Sequence, residues 1–216
     1  MEIESKAFST QEVRRLVNAY FALTSQRKVL AGQAVAAEKE IDRALDTWVA
    51  TVPAARWAKG IAGIIPAMAA GLAAHIDIEI APTVGSIWRF AGLDPSVVWK
   101  RGERRPWNPG LKTVCLRIGH AFAKSAGQDG DFYGKLYRQR ATMEAAANES
   151  RCEQDKLPPG HIDARARRWT VKLFLAHYHH VAWTLATGAP PAKPYAIGVL
   201  GRGEYIAPPN FDGGVR

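Results

Sequence analysis

Apolar residues recur along this chain with a period near 3.6, the spacing that places them on one face of a helix. Ser9 and Glu12 frame a capping box, S-T-Q-E, ahead of Val13, Leu16, Val17, Tyr20, Leu23 and Leu30. The pattern resumes after Gly32 with Val35, Ile41, Leu45, Trp48 and Val49. Residues 10–50 therefore predict one long helix, or two joined near Gly32, stopping before Pro53. A helix of that length suits an arm, a coiled-coil element or a clamp, and offers a seam for a second copy of the chain, although its spacing is not a clean heptad. Thr83 is placed to cap a short helix through Val84, Ile87, Trp88 and Phe90, ended by Gly92. Asn108 followed by Pro109 starts another, which carries Leu111, Val114, Cys115, Leu116, Ile118 and Phe122 to near Gly127. Residues 131–149 and 161–187 predict two more, the second stopped by Gly188. A Pro- and Gly-rich tail follows, whose Tyr195, Ile197, Tyr205, Ile206 and Phe211 suit packing along a surface. The expected fold is all-α: a helical arm over 1–55, a helical domain over 56–188 and an irregular tail over 189–216.

One segment departs from plain amphipathic spacing. GIAGIIPAMAAGLAAHI, from Gly60 to Ile76, reads as a glycine turn feeding into an Ala-rich helix with Pro66 at its first position. A tight turn at a helix N-terminus directs free backbone N–H groups outward, which makes an anion site from the amides around Gly60, Gly63 and Ile64. The same pattern also serves to pack two helices closely, and the residues alone leave both uses open. His75, Asp77 and Glu79 fall at the exit of this helix, as surface polar residues.

Charge favours the first use. The chain has 216 residues, 29 Lys plus Arg against 20 Asp plus Glu, and a formal charge of +9. That balance points to a polyanionic partner, without separating DNA from RNA or an acidic membrane. The longest apolar-looking run, Ile61 to Ile80, holds Pro66, His75, Asp77 and Glu79 and makes a poor membrane span. The acidic, polar N-terminus carries no secretory pattern, so a cytoplasmic protein is expected. Cys115 sits in an apolar helical pattern as a small core residue, and with Cys152 alone beside it no disulfide framework is possible.

Two basic groups stand out. Lys100, Arg101, Arg104 and Arg105 are opposed by Glu103 alone and flanked by Trp99 and Trp107, with Arg89 and Lys112 near in sequence. Arginine forks pair with phosphate, and tryptophan faces stack on unpaired bases or on guanidinium groups. A solvated loop with buried tryptophan anchors fits the same residues. Arg165, Arg168 and Lys172 share a face at the opening of the last helix, where cations oppose the helix dipole, so stability alone does not select them. His177 and His180 also share a face, but no further ligand is spaced to complete a metal site; packing or hydrogen bonding is expected, with no metal or cofactor. Phosphate-loop, nucleophile-elbow and zinc spacings are absent from the sequence.

Taken in order, GIAGIIPAMAAGLAAHID, TVGSIWRFAGLDP, the basic loop, NPGLKTVCLRIGHAFAKS, FYGKLYRQRA and RARRWTVKLFL resemble the C-terminal domain of bridge-RNA-guided insertion-sequence transposases over roughly residues 57–180. That family carries a helix-hairpin-helix reading GIGP and then an AGLxP turn. Gly63, Ile64 and Pro66 match the hairpin, with Ile65 in place of its second glycine; Ala91, Gly92, Leu93 and Pro95 match the turn. The family also has an N-terminal RuvC-like nuclease domain, where this chain has about fifty residues of predicted helix. Its serine nucleophile precedes a glycine shortly after the AGLxP turn. Here Arg101 precedes Gly102, and Ser96 comes too early, directly after Pro95.

The resemblance thus implies a non-catalytic nucleic-acid-binding relative from a mobile element or phage, DNA ahead of RNA. Hairpin amides at Gly60, Gly63 and Ile64 would take a phosphate. Arg89, Lys100, Arg101, Arg104, Arg105, Lys112, Arg165, Arg168 and Lys172 would supply counter-charge. The loop and hairpin are expected to act on one backbone. The alternatives are a recombinase-like subunit that needs a partner nuclease chain, and a basic protein that docks on an acidic protein surface.

Overall fold

The computed structural model describes residues 8–26, 34–128, 130–192 and 205–213. Among these described residues eight α-helices follow one another: α1 (Thr10–Gln26), α2 (Ala34–Thr51), α3 (Pro53–Lys59), α4 (Pro66–His75), α5 (Val84–Phe90), α6 (Pro109–Ser125), α7 (Phe132–Glu149) and α8 (Pro159–Thr187), with a 3₁₀ turn at Glu153–Asp155. No strand occurs among the described residues, so the fold is all-α.

The helix boundaries follow local chemistry. At α1, the Ser9 N–H donates to Glu12 Oε2 at 2.9 Å and the Glu12 N–H donates to Ser9 Oγ at 3.3 Å, closing the capping box. Thr83 Oγ1 accepts from the Ser86 N–H at the head of α5, and Asn108 Oδ1 accepts from the Leu111 N–H at 2.9 Å at the head of α6. Gly188 ends α8 in the left-handed conformation, φ 75°. Helix α3 has no counterpart in the apolar pattern, because Pro53 opens it only two residues after α2 stops.

The N-terminal segment is not a projecting arm. α1 and α2 pack on each other and both pack on α4. Of the apolar residues that pattern comprises, Val13, Val17, Leu45 and Val49 are buried in the chain's own core, and Leu16, Tyr20, Ile41 and Trp48 pack partly buried against it. The junction near Gly32, and Leu30, Tyr195 and Ile197, lie outside the described residues.

Helix α4 is the hub. Ala67, Met68, Ala69, Ala70, Gly71, Leu72, Ala74 and His75 are buried, so it is covered nearly all round by α1, α2, α3 and α6. Helix α8 packs against α3, α5, α6 and α7. Phe122 of α6, Tyr133 of α7 and Phe174 of α8 join the layers as an aromatic cluster with centroids 4.7–5.4 Å apart, and Trp57 of α3 stacks on Phe174 at 5.9 Å. One continuous core runs from Val13 to Ala182, joining the segments 1–55 and 56–188 that the sequence divides.

His75 corrects a second expectation: it is 6% exposed, whereas Asp77 and Glu79 are exposed as anticipated. The reason is the approach of α4 to the first turn of α6, described below. Histidines 177, 179 and 180 are engaged in hydrogen bonds. His177 accepts from the Tyr133 hydroxyl at Nδ1 (2.7 Å) and donates from Nε2 to the Ile206 carbonyl (2.8 Å). His179 donates to the Ala81 carbonyl at 3.0 Å, and His180 Nδ1 meets the Tyr205 hydroxyl at 3.3 Å. With Trp57 Nε1 donating to the Pro209 carbonyl, the bonds of His177 and His180 lay the tail segment 205–213 along α3 and α8, the surface packing its apolar residues suit.

Candidate nucleic-acid interface

The basic loop, the first turn of α6 and the middle of α8 converge on one face. The Asn108 N–H donates to the Phe90 carbonyl at 2.8 Å, tying the end of the loop to the end of α5. Trp88 Nε1 donates to the Lys172 carbonyl at 3.0 Å, tying α5 to α8. Lys112, Arg105 and Arg168 are thereby close enough for their charges to interact. Desolvation holds the Lys112 ammonium below the usual lysine range, and the positive charges of Arg105 and Arg168 push it the same way.

The tryptophans on this face are occupied by the protein's own cations. Lys112 Nζ lies 3.9 Å from the Trp107 ring centroid, Lys172 Nζ 4.1 Å from Trp88, and the Arg105 guanidinium 5.8 Å from Trp99. Trp99 meets Trp107 edge-on at 5.7 Å, and a side chain at Gly92 would strike the Trp107 indole at 2.8 Å. Trp99 and Trp107 are half-buried. Of the uses left open by the sequence, the described contacts are those of anchors that hold cations in place. Lys100, Arg101, Arg104 and Arg105 are exposed, and the loop is shaped by Glu103, whose carbonyl accepts from Trp99 Nε1 at 2.9 Å and whose carboxylate accepts from the Lys100 N–H at 3.2 Å.

Ion pairing separates the other predicted cations into two groups. Arg165 donates to Glu144 at 2.7 Å, and Arg140 donates to the same carboxylate from α7. Glu144 is only 9% exposed, and the two arginines hold its carboxyl below the usual range against the desolvation that raises it. Arg165 is thus drawn toward α7 and shares an acid with Arg140, which corrects its assignment to the unpaired cations of the basic face. Arg89 lies 3.5 Å from Asp94, whose carboxyl is held low chiefly by the Ser96 N–H and hydroxyl. Lys172 also feels Asp94. Among the described residues, by contrast, no carboxylate lies within ion-pair range of Arg105, Lys112 or Arg168.

The hairpin stands apart. Gly63 has φ 88°, a conformation glycine adopts freely, and it lies against Ala121 near the C-terminal end of α6. His75, at the far end of α4, lies against Gly110 at the opposite end of α6. Helices α4 and α6 are therefore antiparallel, and eleven residues of α6, about 16 Å, separate the hairpin from the basic loop. Gly60 is right-handed (φ −68°), and its amide donates to the Arg56 and Trp57 carbonyls. The Ile64 amide donates to the Ile61 carbonyl, and its side chain is buried. Both amides are occupied by carbonyls of the chain itself, which corrects the expectation that they are free for a phosphate. Of the tip amides, Ala62 and Gly63 have no acceptor among the described residues. Beside the tip is a cleft of about 420 Å³ lined by Gly60, Ala62, Lys135, Gln139 and Asn210.

Sequence reasoning passed over Glu144 and the chain Tyr137–Asp163–Arg167–His120, in which Tyr137 donates to Asp163 at 2.5 Å and Arg167 reaches both Asp163 and His120. The i,i+4 spacings of Arg140–Glu144 and Asp163–Arg167 were the available signal. No group of three or more His, Cys, Asp or Glu that could hold a metal ion occurs among the described residues, and no described helix is long and apolar enough to cross a membrane. No protein family, curated protein or solved structure matches the chain.

Proposed function

We propose that this protein binds nucleic acid through its cationic face, by phosphate contacts and without catalysis of its own. The observation that supports this reading is the clustering of Arg105, Lys112 and Arg168. They repel one another, and among the described residues no carboxylate pairs with them, while Lys59, Lys156, Arg140, Arg165 and Arg167 of the same chain are each paired with an acid. A cluster of like charges costs folding free energy, which an anionic ligand offsets on binding. The indole rings hold three cations in position, which favours the regularly spaced phosphates of a duplex over stacking on unpaired bases. We put DNA ahead of RNA on the resemblance to the transposase domain.

The likeness to the insertion-sequence transposase domain supports the same function on separate grounds, the ordered motifs from the hairpin to RARRW. Where that family has its serine, this chain has Arg101, so strand cleavage is assigned to no residue here. Fluorescence anisotropy with a short duplex and with a structured RNA at low salt tests the reading. Saturable binding, tighter for duplex, is expected. Undetectable binding to either would reject it and favour docking on an acidic protein.

A further inference from the structure

We propose that the cleft between α1, α4 and the first turn of α6 is a binding site for a phosphoryl group. The cleft, about 480 Å³, is lined by Asn18 and Phe21 of α1, His75 of α4, and Asn108, Gly110 and Thr113 at the head of α6. It is distinct from the cationic face, which uses Lys112 on the same turn.

Two hydrogen-bond donors meet there. Asn108 Oδ1 is occupied by the Leu111 N–H, so the amide nitrogen of Asn108 is the atom that faces His75 Nδ1, at 3.5 Å. An amide nitrogen only donates; His75 Nδ1 therefore accepts, and the ring proton sits on Nε2. Nε2 is buried with no partner, on a side chain 6% exposed. It lies over Gly110: a Cβ there would come within 2.8 Å of Nε2 and 2.9 Å of Cε1, so only glycine lets the imidazole reach the helix head. The Gly110 N–H, in the first turn of a 17-residue helix, has no intrahelical acceptor and sits at the positive end of the dipole.

The surroundings add positive charge. Arg14 donates to the Ala74 carbonyl beside His75, and its charge, second to burial, depresses the His75 pKa to about 4. The ring is thus neutral at pH 7 and offers one N–H. Arg117 lies 4.1 Å over the Phe21 ring that walls the cleft. Converging donors, a helix N-terminus and two flanking guanidiniums recognise an oxyanion. The phosphoryl group is either a free phosphorylated molecule or a backbone phosphate of bound nucleic acid.

The test is titration of the ¹⁵N-labelled protein with inorganic phosphate, read at the Gly110 amide and the His75 ring nitrogens. A saturable shift of both is expected. His75→Phe removes one donor to a charged acceptor and should weaken phosphate binding about tenfold. A parallel titration with a short duplex identifies the source. If the same signals move and phosphate competes, the ligand is a backbone phosphate; if only phosphate moves them, it is a free phosphorylated molecule. The site is rejected if Gly110 and His75 stay unmoved by phosphate in the folded wild-type protein, or if folded His75→Phe binds phosphate as tightly as wild type. Failure of duplex binding alone would count against the nucleic-acid reading and leave the phosphate result standing.

Discussion

His177 carries both a structural bond and a pH dependence. Its Nδ1 accepts from Tyr133 and its Nε2 donates to Ile206, so the neutral ring satisfies two buried partners. Burial lowers its pKa to about 4, and His75 is lowered to about 4 as well. A folded-state pKa below the unfolded value of 6.5 means that the unfolded chain binds more protons between the two. The stabilisation is therefore complete above about pH 6.5 and is lost as pH falls toward 4, by about 3 kcal/mol for each ring. Urea denaturation at pH 7.5 and pH 4.5 should show this fall, and His177→Gln should flatten it. A stability that is level across that range would exclude the buried neutral rings. Gly63 offers a second residue-scale test. Its φ of 88° and its contact with Ala121 oppose a β-branched side chain, so Gly63→Val should cost about 1–2 kcal/mol in the same assay.

At the scale of elements, Arg165 and Arg168 occupy neighbouring turns of α8 and do different things. Arg165 shares the Glu144 carboxylate with Arg140 and fastens α8 to α7. Arg168 faces Lys112 across to α6. Arg165→Ala should lower stability, by about 1 kcal/mol because Arg140 still pairs the buried Glu144 carboxylate, and leave nucleic-acid affinity unchanged. Arg168→Ala should do the reverse. If both variants lost affinity equally with no loss of stability, the division of the two arginines would be wrong.

These helices also mark what the sequence makes legible. Caps and stops are local chemistry, so Ser9 with Glu12, Thr83, Asn108 with Pro109, and Gly188 announce their elements directly. The folding-back of α1 and α2 onto α4 is a tertiary pairing, and periodicity is the same for a stripe buried in its own core and one awaiting a partner. The burial of His75 depends on Gly110, thirty-five residues away, and the pairing of Arg165 on a carboxylate in another helix. Neither has a signal within its own segment. The cations of the candidate interface are legible in the sequence; which of them converge is not.

For the molecule as a whole, the antiparallel α4–α6 pair sets the hairpin and the cationic loop about 16 Å apart. A single phosphate cannot bridge them, and a duplex that meets both must lie along α6. Charge reversal at Arg104 and Arg105 should therefore weaken binding to many sequences alike, while Gly63→Val, if folded by circular dichroism, should weaken it less. Equal losses in both would place the hairpin at the centre of the interface.

The central claim is that Arg105, Lys112 and Arg168 await phosphates. The most direct measurement is duplex affinity across a salt series for wild type and for the triple variant Arg105→Ala/Lys112→Ala/Arg168→Ala. Each phosphate contact releases counterions, so removing three should reduce the slope of log K against log salt by about 3 and weaken low-salt binding, with the helical spectrum unchanged. A folded triple variant with the wild-type slope and affinity would contradict the assignment of this face.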